Sequence, residues 1–243
     1  MTAQSDSRRY FVLACGCVAS GAGRYAHAQE PAAGAASPPR APAAPAGPVV
    51  PPPPGWSYLP ELGVKNIYSL VPAAPRGEPS PQIKVTTRRD VGILEKQVDA
   101  PFTPETTLRW MWNVQKLPSQ IAENVTAGHD YLSIAVKFDN GQDMTYMFSS
   151  VLPVGTGFHC PLRNWMDRET HVVLHTGAAD LGKWLTEERK LLPDYNKYVG
   201  RGEPPKRITQ VWLIANSSIQ RTEGDASFAK ISVGEQRGRL EVL

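Results

Sequence analysis

Leu108-Arg109-Trp110-Met111-Trp112-Asn113-Val114, within the stretch 106–150, is the segment whose reading decides the fold. A strand sends alternate side chains to opposite faces. Leu108, Trp110, Trp112 and Val114 therefore share one face, and Arg109, Met111 and Asn113 the other. Tyr131 to Phe138 repeats the pattern, with Leu132, Ile134, Val136 and Phe138 in an apolar row and Tyr131, Ser133, Ala135 and Lys137 in a mixed one. Asp139-Asn140-Gly141 carries the Asn-Gly signal of a tight hairpin, which returns the chain into Met144 to Ser150. Faces of such different character fit a sheet with one side on a core and the other open or under a loop.

Two readings of Trp110 and Trp112 stand side by side. Large aromatics dominate sheet interiors, which favours a core role for both. The sharper reading makes them a stacking platform for a sugar ring, with Arg109, Asn113, His129, Asp130 and Tyr131 as the polar surround. The polar knot Gly128-His129-Asp130-Tyr131 lies just before the second strand.

Outward from this stretch, Gln82 to Thr87, Val91 to Val98, His171 to Thr176, Ile208 to Asn216 and Ser227 to Val233 read as further strands. Asn66 to Val71 and Leu240 to Leu243 read as short edges. Leu152 to Asp167 has no consistent period and is expected to be a long connection, a length that in compact domains tends to be functional. Leu181, Trp184, Leu185, Glu188, Leu191, Leu192, Tyr195, Tyr198 and Val199 recur at helical spacing. Asp180 would cap this helix and Pro193 would interrupt it. Eight or nine short strands with one late helical excursion predict a mostly β protein, an antiparallel β-sandwich of jelly-roll type.

The first 28 residues are not read as fold. Ser7-Arg8-Arg9-Tyr10-Phe11-Val12-Leu13 fits the twin-arginine export pattern, followed by a Gly- and Ala-rich stretch and the small-x-small site Ala26-His27-Ala28. Cleavage is expected after Ala28, with a periplasmic or secreted product and no transmembrane segment. Residues 29–55 are almost wholly Pro, Ala and Gly and read as a semi-stiff linker. The folded domain is then 56–243. Cleavage would leave Cys160 as the sole cysteine, so no intrachain disulfide is expected. The formal charge of +3 owes much to Arg8, Arg9 and Arg24, and the remainder is nearly balanced. That argues against nucleic acid or an anionic membrane as partner.

The chain resembles the bacterial family catalogued as domain of unknown function 3047 across nearly all of Gly55 to Val233. The likeness rests on Gly55-Trp56, Tyr68-Ser69-Leu70-Val71, Leu108 to Trp112 with Leu117-Pro118, and Ala127-Gly128-His129-Asp130-Tyr131. Leu152-Pro153-Val154-Gly155, Leu181-Gly182-Lys183-Trp184, Glu187-Glu188-Arg189 and Asp194-Tyr195 complete it. The resemblance implies an exported jelly-roll-like sandwich akin to carbohydrate-binding modules and carries no established activity. His129-Asp130 stands where the family usually has paired aspartates, and Ala215-Asn216-Ser217-Ser218-Ile219 where it runs Thr-Asp-Thr-Asp-Asn. Any hard-cation site built on those acidic groups would be lost here, because calcium needs oxygen-rich ligation.

For chemistry, Asp130, Glu187, Glu188 and Asp194 are the carboxylates a hydrolytic pair could use, with Asp130 and Glu188 as acid/base candidates. Glu188 would sit on the apolar helix face, where a carboxylate is either perturbed or paired; a salt bridge to Arg109 or Arg189 is the plainer expectation. His159, Cys160, His171 and His175 could be drawn together around a metal, but their spacing matches no standard zinc pattern, so neither metal nor cofactor is expected. The leading expectation is a glycan-binding module. A polysaccharide-acting hydrolase or lyase, and a structural envelope protein whose polar knots fasten loops, are the alternatives.

Overall fold

The computed structural model describes residues 50–243. The expected twin-arginine signal at 1–28 and most of the linker at 29–55 lie outside the described residues. The end of that linker is tied to the domain: the Val50 N–H donates to Asn66 Oδ1 at 2.8 Å and the Trp56 N–H to the Pro53 carbonyl at 2.9 Å.

Two sheets face each other. The first has seven strands: β1 (Ser57–Tyr58), β4 (Val91–Pro101), β11 (Arg207–Asn216), β6 (Tyr131–Phe138), β7 (Asp143–Ser149), β9 (Glu169–Thr176) and β8 (Gly157–His159), in that spatial order. The second has six: β10 (Leu185–Lys190), β5 (Thr107–Lys116), β12 (Glu223–Gly234), β3 (Gln82–Arg88) and β2 (Tyr68–Val71), with β13 (Leu240–Glu241) on β12. Every pairing is antiparallel except β7 with β9, because the long connection 150–168 carries the chain over before it returns alongside β7. The expected sandwich is therefore present. Among the described residues no helix is long and apolar enough to cross a membrane.

The alternation read from the sequence decides which face goes inside. Leu108, Trp110, Trp112 and Val114 of β5 meet Leu132, Ile134, Val136 and Phe138 of β6 in the main core. Trp110 stacks on Tyr146 with centroids 5.5 Å apart and stands edge-on to Trp112. Between β6 and β7, Gly141 takes φ +83°, the left-handed conformation that the hairpin turn requires.

The outer face of the seven-stranded sheet is also covered. Ile93, Tyr131, Ala135, Met147, Val173, Trp212 and Ile214 form a second apolar layer, packed against Leu152, Phe158 and Trp165 of the 150–168 connection. That lid explains why β6 and β7 are buried on both faces. The connection holds β8, which the aperiodic sequence did not suggest.

The helix expected across 181–199 is not formed. Residues 185–190 are strand β10, pairing with β5 from Leu185↔Trp112 to Lys190↔Thr107. Helix is confined to α1 (Leu191–Asp194) and a π turn at Tyr195–Val199. Leu-Thr-Glu-Glu-Arg-Lys favours helix locally, but β5 offers an open row of backbone groups whose pairing overrides that preference. Side-chain exposure along β10 alternates with period two, as a strand demands.

Candidate functional site

Four side chains from separate parts of the chain meet under the lid. Glu169 and His171 stand two apart on β9 and so point the same way. Cys160 follows β8 and is held to β9 by its N–H on the Glu169 carbonyl at 3.0 Å. His129 comes from the turn before β6. One ligating atom from each lies within 4.8 Å of those of the others, and all four residues are at most 3 % exposed.

The turn that delivers His129 is tightly specified. A Cβ on Gly128 would lie 2.0 Å from the Ala122 carbonyl oxygen, so only glycine passes there. His129 Nδ1 sits 2.8 Å from the Glu123 carbonyl, which can only accept; the proton is therefore on Nδ1, and Nε2 presents a lone pair. Cys160 Sγ lies 3.2 Å from that Nε2. The Tyr131 hydroxyl donates to Glu169 Oε1 at 3.1 Å, and His171 Nε2 is 3.4 Å from the same oxygen. Neither ring nitrogen of His171 makes a hydrogen bond, although the ring is wholly buried. It stacks on Phe158 at 4.9 Å.

Burial depresses the His129 imidazole to about 4, helped by the neighbouring His171, so the ring is neutral. Burial pushes the Cys160 thiol up, with the Glu169 charge adding to it. Burial alone would raise Glu169 as well, but His171, Cys160 and His129 outweigh it and hold the carboxyl at about 2. Its register neighbour Asp143 is driven up, first by burial and then by the Glu169 charge.

Beside the cluster opens a pocket of about 230 Å³. Trp165, Leu62, Val91, Ile93 and Ile214 give it apolar walls, and Glu169, Tyr131, Asn216 and Ser218 a polar end. Asn216 is fixed: its Nδ2 donates to the His129 carbonyl at 2.7 Å, and its Oδ1 receives the Ser218 N–H and hydroxyl at 3.0 and 2.7 Å.

A family model described as Protein of unknown function (DUF3047) matches residues 64–232. The chain belongs to this family. No curated protein matches it. Among solved structures it is similar to the xyloglucanase domain of NopAA, a type three effector from Sinorhizobium fredii, in complex with cellobiose. Identity there is 10 %, with 74 % of this chain and 98 % of that one covered at a TM-score of 0.39. Similar too is the cellulose induced protein Cip1, at 13 % identity, 73 % and 90 % coverage and a TM-score of 0.38. A cellulase derived from Cel12A of Rhodothermus marinus follows at 11 %, 73 %, 98 % and 0.36. Likenesses this distant leave function to be argued from the site itself.

In this DUF3047 chain the residues singled out from sequence fall into separate groups. Trp110 and Trp112 are 1 % and 0 % exposed, so neither offers a ring face to a ligand; the core reading holds for both. Asn113 is buried and donates to the Gly182 carbonyl at 3.2 Å. Asp130 is fully buried and accepts the backbone N–H groups of Ile219 and Gln220 at 3.0 and 2.7 Å, fastening the loop after β11. Arg109 and Glu188 pair at 2.6 Å, so the expected partner is present, but Glu188 lies on the exposed face of strand β10 and not on an apolar helix face. Asp130 and Glu188 therefore share no cleft: one lies sealed at an end of the first sheet, the other open on the second. Glu187 bonds to His175 at 2.7 Å, and Asp194 is held by Arg189 and Tyr146.

Of the four metal candidates, Cys160 and His171 do come together. His159 turns to Thr170 Oγ1 at 3.2 Å, and His175 is taken by Asp180 and Glu187. His129 and Glu169 replace them. Glu169-Thr170-His171 on one strand was the signal available in the sequence; the partnership with His129, forty residues away, was not.

Proposed function

We propose that this chain is an exported carbohydrate-binding β-sandwich whose ligand seat is the pocket at Trp165. The observation that carries the reading is the composition of that one pocket: an indole and aliphatic walls leading to a fixed polar end. A sugar ring has an apolar C–H face and a rim of hydroxyls, and aromatic faces with adjacent hydrogen-bonding groups answer both. Asn216 and Ser218 are held in place by their own hydrogen bonds, so ordering them on binding costs little. At about 230 Å³ the pocket is smaller than the roughly 300–1,000 Å³ of drug-sized sites, which suits a terminal sugar or a short stretch of a chain.

The hydrolase alternative loses its acid/base pair, since Asp130 is spent on backbone N–H groups and Glu188 on Arg109. The structural alternative is met at Asp130, which does fasten a loop, but a pocket opens directly beside that knot.

Affinity gel electrophoresis against a panel of soluble polysaccharides tests the reading. The wild type is expected to be retarded by at least one of them, and Trp165→Ala to lose about tenfold or more in affinity. The double variant Arg109→Ala/Glu188→Ala should migrate as wild type. Undiminished retardation of Trp165→Ala, or none for the wild type on any polymer, contradicts it.

A further inference from the structure

We infer that His129, Cys160, Glu169 and His171 form a binding site for a divalent first-row transition metal of zinc type, closed by four protein ligands. The inference does not rest on the carbohydrate reading, although Glu169 borders both the cluster and the pocket. It starts from donor chemistry. Two imidazoles, a thiolate and a carboxylate are the set that zinc takes in four-coordinate sites, whereas calcium and magnesium take oxygen alone.

Geometry agrees. Zinc bonds of about 2.0–2.3 Å place tetrahedral donors about 3.5 Å apart. The donor atoms here already lie within 4.8 Å of one another, so the widest gap closes by about an ångström through side-chain rotation. His129 is also oriented as metal-bound histidines are, with its far N–H on a backbone carbonyl and its near nitrogen turned to Cys160 Sγ and the cluster.

Two observations favour an ion. His171 is wholly buried, yet neither ring nitrogen has a hydrogen-bond partner, and an unpaired buried polar group carries a desolvation cost. Glu169 is a buried carboxyl whose Oε1 accepts the Tyr131 hydroxyl at 3.1 Å and lies 3.4 Å from His171 Nε2, a spacing at which a shared cation would hold the two donors together. A divalent ion with one carboxylate, one thiolate and two neutral imidazoles sums to zero, the net charge such an interior tolerates best. On binding, the Cys160 S–H proton leaves to solvent and the thiolate takes the metal; no oxidant or reductant is involved.

The ligands show what the ion would do. His129 belongs to the turn before β6, Cys160 to the lid, and Glu169 and His171 to β9, so one ion staples the 150–168 connection to the sheet it covers. Four protein donors leave no open position, which marks a fastening rather than a catalytic site.

Cobalt(II) titration of the full chain, followed by absorption, tests this. The expected result is about one equivalent bound per chain, with a thiolate-to-cobalt charge-transfer band and ligand-field bands of tetrahedral strength, displaced by zinc but not by magnesium. Cys160→Ser should lose the charge-transfer band, and His171→Ala the tetrahedral pattern. Cys15→Ser/Cys17→Ser and His159→Ala should keep both. Each variant is checked for fold by circular dichroism. If Cys160→Ser proves unfolded, zinc content of the wild type after gel filtration decides: about one equivalent upholds the site, and less than about a tenth overturns it. A wild type without the band, or a band that survives in folded Cys160→Ser, also overturns it.

Discussion

Single residues here are decided by which side of a strand they occupy. Trp112 lies on the inner row of β5 and is fully buried against Phe148, Phe228 and His175, with its N–H on Glu187 at 3.3 Å. Trp112→Ala should cost about 3–5 kcal/mol, the range for emptying a buried aromatic site. Urea unfolding followed by circular dichroism would read that as a lower midpoint; a midpoint within error of wild type would contradict the core assignment. Period-two alternation sufficed to place this residue. It did not suffice for Asp130 or His129, whose roles depend on the Ile219–Gln220 backbone and on Cys160, groups brought near only by the complete sandwich.

Among the elements, β10 is where local and tertiary preferences part. Leu185 to Lys190 was legible as helix because Leu, Glu, Arg and Lys are good helix formers and the apolar positions recur every three or four residues. Nothing in the segment announces the unpaired edge of β5 that claims it. Its junction with α1 is fixed by a fork: Arg189 Nε and Nη2 donate to Asp194 at 2.8 and 2.7 Å, and the Tyr146 hydroxyl adds a third bond to the same carboxylate at 2.7 Å. Removing one partner of a buried pair costs about 3–5 kcal/mol. The Arg189 side chain is 32 % exposed, so Arg189→Ala is expected to cost about 2 kcal/mol once solvent screening is allowed for. Arg189→Lys should recover only part of this, since an ammonium cannot make the fork. Denaturant midpoints of the two variants check the order, and equal midpoints for Ala and Lys would show that the fork is not the source of the stability.

At the scale of the whole molecule, the two-sheet architecture followed from the alternating strands and turn signals, and the family likeness from short runs spread along them. The region proposed as the ligand seat was harder to read because it lies where the sequence is least periodic. The 150–168 connection looked like a long loop; folded, it is the lid that covers the outer face of the seven-stranded sheet, supplies Trp165 and Cys160, and shapes a pocket against β4, β9 and β11. Arg109 and Glu188, by contrast, border a shallow charged depression on the other sheet with Lys230 and Arg239. The two regions belong to different sheets, so one measurement separates them. Hydroxyl-radical footprinting of the wild type, with and without the polysaccharide that retards it most, should show protection at Trp165, Ile219 and Leu62. Protection confined to Met111, Arg109 and their neighbours on the six-stranded sheet would contradict the account.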